Sequence, residues 1–398
     1  MPDKLHIAIV GCGASGMAAA LSLSDEHSVT VFDQFATPQA VGAGLLLQPT
    51  GLQCLAQLGL LDTMMAYGAP IKQLHGQLLS GKNVLDLHYS DLGSDVTGLG
   101  IHRGALFAVL YQALLKKGIA CHSGKAVTRS DITGEKRAIY SFDDKLGEFD
   151  LVVDASGTRS LLHEEILVKR DREYAYGALW GVVNDPAQRI GQACLQQYYQ
   201  GGHTMLGVMP IGHSPDNATP QCTFFWSLPL AQLSQWQAQP LTHWHDKVLA
   251  IWPEIAPLVT QFQQHEDLAV ASYKDVVLKK PHAQRLVYIG DAAHSMSPQM
   301  GQGVNLGLMD ALQLARSLQH GESLSAAFAD YQEQRRRHWR FYQWASRFMT
   351  PLFQSDGRIG PWCRDLSFGY LCKAPFFRRQ FILSLAGVKD GLFTHFLN

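Results

Sequence analysis

Apolar positions along this chain change their spacing several times, and each spacing predicts a different kind of element. The run Leu5-His6-Ile7-Ala8-Ile9-Val10 is almost unbroken and reads as a strand covered on both faces. A glycine-rich turn at 11–16, a helix at 17–23 and a second strand at 28–32 follow it, the opening of a βαβ unit. After the Gly-rich passage 41–44, a helix is predicted over 49–61, a short hairpin between 71 and 96, and an amphipathic helix over 105–117. From 174 to 230 the pattern turns to β: 174–183, 193–200, 204–211 and 223–228 are rich in Tyr, Trp, Phe and Val, with Gly201-Gly202-His203 as a hairpin turn. Residues 230–262 read as helical, 267–278 as strand, and 285–289 as a short apolar strand leading to a helix beyond Gly303. The chain after about His320 is expected to be helical, with breaks at Pro351, Pro361 and Pro375.

The composition narrows the class. Of 398 residues, 46% are apolar and only 17% charged, which excludes a disordered or fibrous chain. A net charge of −1 argues against a nucleic-acid binder. The seven cysteines are scattered without a C-x-x-C pair, so they read as reduced thiols, and no ligand-spaced His/Cys/Asp cluster suggests a metal. With no signal-like leader and no run of about 20 apolar residues, the expected location is cytoplasmic, at most peripheral to a membrane.

Three motifs carry chemistry. Gly11-Cys12-Gly13-Ala14-Ser15-Gly16 is a G-x-G-x-x-G between strand and helix: a tight turn, a close backbone approach to a pyrophosphate, and close helix–strand packing. Asp33, at the end of the second strand, is the acid expected on a ribose hydroxyl. Alone, this motif does not distinguish one dinucleotide from another. The second motif runs from Gly290-Asp291 through Pro298 to Gly301-Gln302-Gly303-Val304-Asn305, where a strand delivers an acid and glycines open a helix close to a ligand. The third, Asp154-Ala155-Ser156-Gly157-Thr158-Arg159-Ser160, ends a buried strand in a polar turn.

Together, and in this order, the three motifs resemble the single-component FAD-dependent aromatic hydroxylases, flavoprotein monooxygenases with the p-hydroxybenzoate hydroxylase fold. The resemblance runs from Leu5 to about Ala311; Gly42-Ala43-Gly44 matches the family's flavin-side loop and Arg103 its arginine before a helix. It implies an α/β chain: a Rossmann-like FAD-binding domain (1–72, 97–172 and 281–320), an inserted β-sheet substrate domain (73–96 and 173–280) and a C-terminal helical region (321–398). It implies non-covalent FAD held by Gly11, Gly13, Ala14, Ser15, Gly16, Asp33, Gly42, Gly44, Arg103, Asp154, Gly157 and Asp291, with Pro298, Gly301, Gly303, Val304 and Asn305 beside the isoalloxazine ring. NADPH or NADH would reduce FAD, and a flavin C4a-hydroperoxide would pass OH to an electron-rich substrate. One departure bears on the nicotinamide: His163 stands where the family has an arginine after Ser160.

No catalytic side chain is required by that chemistry. His203, His213, Tyr198 and Tyr199 are the candidates for a base acting on a phenol or indole. Tyr176, Ala178 and Trp180 alternate along one strand and so share a face, lining either a substrate cavity or an ordinary core. A small aromatic substrate is expected. The alternatives are a protein side chain or carrier-bound substrate, a halogenase or other oxidoreductase of the same fold, and a flavin-binding partner with little turnover. The W-x-W-x-I-P signature of halogenases is absent. The segment 321–398 carries 11 Lys/Arg against six Asp/Glu, and Arg335-Arg336-Arg337-His338-Trp339-Arg340 interleaves bases with aromatics. That pattern fits either a helix face packed on the body or peripheral membrane contact.

Overall fold

The computed structural model describes residues 4–37, 43–189 and 193–396. A six-stranded sheet runs in the order 282–283, 286–288, 151–154, 6–10, 28–32, 120–122, parallel throughout except for its first pair. His6–Val10 is central, with Ile7 opposite both Leu151 and Val29. Ile7, Ala8, Ile9 and Val10 are all buried, and the absence of alternation follows because both faces of a parallel sheet are covered. The helix Ala14–Leu23 packs there through Met17, Ala18, Ala19 and Ala20. Small residues bring the helix Gly303–His320 close to it: a Cβ on Gly307 would stand 2.0 Å from Ser15 Oγ. A three-stranded meander, 129–133, 136–141 and 144–149, adds Ile139 and Phe149 to the core around Phe32.

The second large sheet has seven strands in the order 269–271, 176–184, 217–229, 204–214, 194–200, 73–78, 83–88. Its two-residue period separates two environments. Leu179, Phe224, Trp226 and Val208 pack against Trp236, Trp244 and Val248 of the helical stretch 233–259. Trp180, Phe225, Met205 and Tyr199 face the opposite way, onto Phe353 and Phe368 of the C-terminal helices. Strands 168–173 and 274–278 pair with each other, and 44–47, 98–102 and 69–71 form a small sheet against the 204–214 strand, where a Cβ on Gly100 would meet Pro210 O at 2.0 Å.

Three local expectations change. The helix predicted over 49–61 is two, Pro49–Gln57 and Leu61–Tyr67, parted at Gly59 with φ +70. Pro351 lies within Leu324–Phe353, two residues from its end, and Pro361 is the third residue of Ile359–Lys373. A proline in the first turn loses no helical hydrogen bond, and one near the C-terminus loses a single bond, so neither breaks its helix. Gly44, expected in a flexible loop, is strand: it pairs with His102, donates its N–H to Thr223 Oγ1 at 3.2 Å, and lacks room for a Cβ beside Ile211 and Thr223. Gly42 lies outside the described residues.

Candidate functional site

Each glycine of the first motif has its own steric reason. Gly11 has φ +104 and a Cβ there would meet Ala155 O at 2.5 Å; a Cβ on Gly16 would stand 2.0 Å from Gly11 O. Gly13 is different, for nothing lies within 4 Å of where its Cβ would be. It is the N-cap of Ala14–Leu23, with no side-chain cap and no acid in the first turn. An uncapped helix start below open space is a ready site for an anion. Ala14 is the first residue of that helix, while the Ser15 side chain is turned to Gly290 and Gly307, so only its backbone N–H is left to face a ligand. Asp33 accepts from Cys12 N–H at 2.7 Å and from Phe35 N–H at 2.9 Å, fixing the acid at the edge of the loop.

The third motif supports this loop from within. Asp154 is fully buried; it accepts from Ser156 N–H and Oγ and from Ser160 Oγ. Burial raises its carboxyl against the opposing effect of these bonds. Its carboxylate therefore shapes its own turn and does not face the cleft, a correction to the expectation drawn from the motif. Gly157, with φ +88, faces open space. His163 Nε2 donates to Ala292 O at 2.6 Å and its ring packs on Tyr288, so it braces the strand-to-helix turn of the second motif.

In that turn, Gly290 has φ +59 and Asp291 opens a short helix. Asp291 is solvent-exposed, yet enough protein surrounds it for desolvation to raise its carboxyl, with His294 and Arg103 opposing. Exposure together with enclosure marks the wall of a deep cleft. Gly303 lies against it, 3.5 Å from Asp291 Oδ1 to the position of a Cβ. Gly301 is left-handed (φ +60, ψ +28) and follows the turn Pro298–Met300, and half-buried Val304 continues the helix that Gly303 begins. Asn305, expected beside a ligand, is instead a fully buried clamp: its Oδ1 accepts from Gln48 N–H at 2.9 Å and its Nδ2 donates to Gly301 O at 3.0 Å. Sequence reading missed Gln48. Its Oε1 accepts from Tyr89 Oη, while its buried Nε2 has no partner among the described residues and lies 3.7 Å from where a Gly301 Cβ would be.

Beneath the loop sits a buried network. Asp310 accepts from Gly290 N–H, His294 Nε2, Arg335 Nε and Trp339 Nε1, at 2.5–2.9 Å. Burial alone would raise its carboxyl, but His294 and Arg335 hold it below the usual carboxylate range. Arg335 also donates to His338 Nδ1, and His338 Nε2 donates to Gly387 O. The interleaved bases and aromatics of 335–339 are thus partly inward-facing: Arg335, His338 and Trp339 are buried, whereas Arg336, Arg337 and Arg340 are exposed.

Across the cleft, Arg103 begins the helix Arg103–Lys116 and acts electrostatically on both Asp291 and Tyr273. Trp180 Nε1 donates to Tyr273 Oη at 2.8 Å, and burial pushes the Tyr273 hydroxyl up to about 12. Tyr176 and Trp180 do share a strand face, but the Tyr176 hydroxyl donates to Asp356. The four candidate bases are not brought together. Tyr198 faces the helical side, its ring 4.8 Å from Trp252. Tyr199 is buried with its hydroxyl on Gln197 and its ring under Arg364. His203 is an exposed turn residue bonded to Thr204, and His213 lies against Tyr67. A single residue step on a strand reverses a side chain, which spacing along the sequence alone does not orient.

With this geometry in hand, the chain matches a family model described as an FAD binding domain over residues 4–345. It is 22% identical to an FAD-dependent urate hydroxylase from Klebsiella pneumoniae over 334 residues, covering 82% of this chain and 85% of that protein. It is 27% identical to a 6-hydroxynicotinate 3-monooxygenase from Pseudomonas fluorescens over 356 residues, covering 84% and 88%. The crystal structure of Klebsiella pneumoniae HpxO complexed with FAD and uric acid superposes with a TM-score of 0.79 at 19% identity, covering 95% of this chain and 97% of that one. The family match joined to a glycine cradle open at Gly13 leads to one conclusion: this chain belongs to the FAD-binding domain family, as an FAD-dependent monooxygenase among the aromatic hydroxylases.

Proposed function

We propose that the chain hydroxylates a small planar aromatic or heteroaromatic compound, with FAD as cofactor, O₂ as co-substrate and NADPH or NADH as reductant. The observation that carries this reading is the line of groups from the loop to the sheet: Trp180 Nε1 is bonded to Tyr273 Oη, and Arg103 is near enough to act electrostatically on both Tyr273 and Asp291. Bound FAD supplies the redox chemistry, taking electrons from the nicotinamide and activating O₂. The backbone N–H groups around Gly13 suit its pyrophosphate, Asp33 a ribose hydroxyl, and Asp291 a hydroxyl of the ribityl chain. Arg103 offsets the negative charge of that region. The N-terminus of Gly303–His320, together with Gln48 Nε2, which has no partner among the described residues, suits negative charge on the ring.

Toward the substrate, Trp180 and Phe225 are aromatic walls, their centroids 5.0 Å apart. Because Trp180 N–H already occupies an oxygen lone pair of Tyr273, and the hydroxyl stays protonated at neutral pH, the Tyr273 proton is available to a substrate oxygen. A urate or pyridine ring of the kind named in the relatives has both the flat shape and the acceptor atoms.

The test is anaerobic reduction of the holoprotein by NADPH and NADH, read at the flavin band, with and without a panel of phenols, indoles, purines and quinolones. Faster reduction with one compound, and a product heavier by one oxygen on aeration, is the expected result. A halogen isotope pattern in the product, or no reduction under any condition, would overturn the reading.

A further inference from the structure

The helix Ile359–Lys373 is apolar on two sides, packing Pro361, Phe368 and Cys372 inward. Its buried face includes Arg364, whose fully buried guanidinium donates to Leu352 O, Gly201 O and the Asp365 carboxylate. Its outward face carries Ile359, Trp362, Leu366 and Tyr370, which are 79%, 63%, 52% and 66% exposed. These positions fall at i, i+3, i+7 and i+11, a single stripe along one side. On a water-facing helix that stripe should be polar. The next helix continues it with exposed Phe376 and Phe377, and the exposed Phe393 ring lies 6.3 Å from Phe376. Single exposed apolar residues need no explanation, whereas a contiguous aromatic set marks an interaction surface.

Cations predominate around the stripe. Arg358 and Lys373 stand at the two ends of the helix and Arg379 on the next one; all are exposed, and none makes an ion pair among the described residues. Of the neighbouring acids, Asp365 pairs with Arg364 and Asp390 with Arg337, while Asp356 accepts from the neutral Tyr176 hydroxyl and keeps its charge, one acid against three unpaired cations. A second copy of this chain would bring the same cations towards each other about a two-fold axis, which disfavours self-association here. Aromatic rings framed by unneutralised Lys and Arg suit a layer that is apolar below and anionic above, and no described helix is long and apolar enough to cross a membrane. The surface is also fixed to the body: Leu385 O accepts from Gln302 Nε2 at 2.6 Å and Ser384 O from Tyr342 Oη.

We propose that this face docks the protein on a membrane surface bearing anionic lipid headgroups. The stripe Ile359, Trp362, Leu366 and Tyr370 lies at the boundary of headgroups and acyl chains, and Arg358, Lys373 and Arg379 meet the headgroup phosphates.

The experiment is flotation of the holoprotein with vesicles of phosphatidylcholine alone or mixed with phosphatidylglycerol. Flotation with the mixed vesicles, weakened by added salt, is expected. The triple variant Trp362→Ser/Leu366→Ser/Tyr370→Ser should bind about tenfold less or worse, and Arg358→Gln, Lys373→Gln and Arg379→Gln about fivefold less for each charge removed. The flavin spectrum and thermal melt of each variant check that it is folded. Absence of flotation with either vesicle overturns the proposal, as does equal flotation of folded variants. So does light scattering that finds a dimer which the triple variant dissociates, since the stripe would then cover a second copy.

Discussion

Gly13 and Gly16 are both glycines of one motif, and the geometry assigns them opposite phenotypes when changed to alanine. At Gly13, φ −79 and ψ 179 are open to any residue and nothing lies within 4 Å of the new Cβ. Losing glycine at an N-cap costs up to about 1 kcal/mol, and the stiffer unfolded chain returns about 0.4–1 kcal/mol. The apoprotein of Gly13→Ala should therefore be within about 0.5 kcal/mol of wild type. At Gly16 the new Cβ stands 2.0 Å from Gly11 O, a backbone atom that cannot swing aside. Such overpacking costs about 1–3 kcal/mol or more. For FAD bound as proposed, the order reverses in origin: a Gly13 methyl would occupy the space of a phosphate, and each charge-assisted hydrogen bond lost is worth about 1.5–3 kcal/mol, or about ten- to hundredfold in affinity. Apoprotein melting followed by FAD titration, read by flavin fluorescence, separates the two. A Gly13→Ala protein that binds FAD as tightly as wild type would refute the assignment of this loop. So would one that melts as low as Gly16→Ala.

Three further outcomes follow from the same contacts. Arg335→Met strips one cation from the buried Asp310 carboxylate and should destabilise the protein by about 3–5 kcal/mol in urea unfolding; a change below 1 kcal/mol would contradict the network. His338 is kept neutral by burial and by Arg335, well below the ordinary histidine range. The unfolded chain then takes up a proton that the folded one refuses, so stability is full above about pH 6.5 and declines as pH falls, by up to about 1.4 kcal/mol per unit. His338→Gln should flatten that slope between pH 6.5 and 5. Asp310, whose folded value is lowered, adds its own loss only below about pH 4, as pH falls towards that value. Tyr273→Phe should leave flavin content unchanged and raise KM about tenfold for a substrate whose oxygen it binds; an unchanged KM across the panel would remove Tyr273 from the substrate site.

Much of this molecule is local and therefore readable in order along the chain. The unbroken apolar run 5–10, the three glycines and Asp33 describe a strand, a loop and a helix start whose geometry depends on neighbours a few residues away. The same holds for Gly290, Asp291 and Gly301, where left-handed backbone or a helix start is needed at fixed offsets. What the sequence leaves open is direction. Asp154 and Asn305 lie in the right motifs, yet they turn inward, because buried backbone and hydroxyl groups nearby supply donors and acceptors that solvent cannot reach. Tyr198 and Tyr199 differ by one step of a strand and so end on opposite faces. Gln48 and Tyr273 belong to no motif, and only the folding of residues 48 and 301, or 103, 180 and 273, to one place gives them a part. The outward stripe of Ile359–Lys373 is the plainest case: Pro361, Arg364, Phe368 and Cys372 recur at the same spacing as Ile359, Trp362, Leu366 and Tyr370, yet only the first set is buried, with Arg364 meeting three oxygen acceptors in the body. Periodicity fixes which residues share a helix face, whereas the partners available across the tertiary fold decide which face goes in.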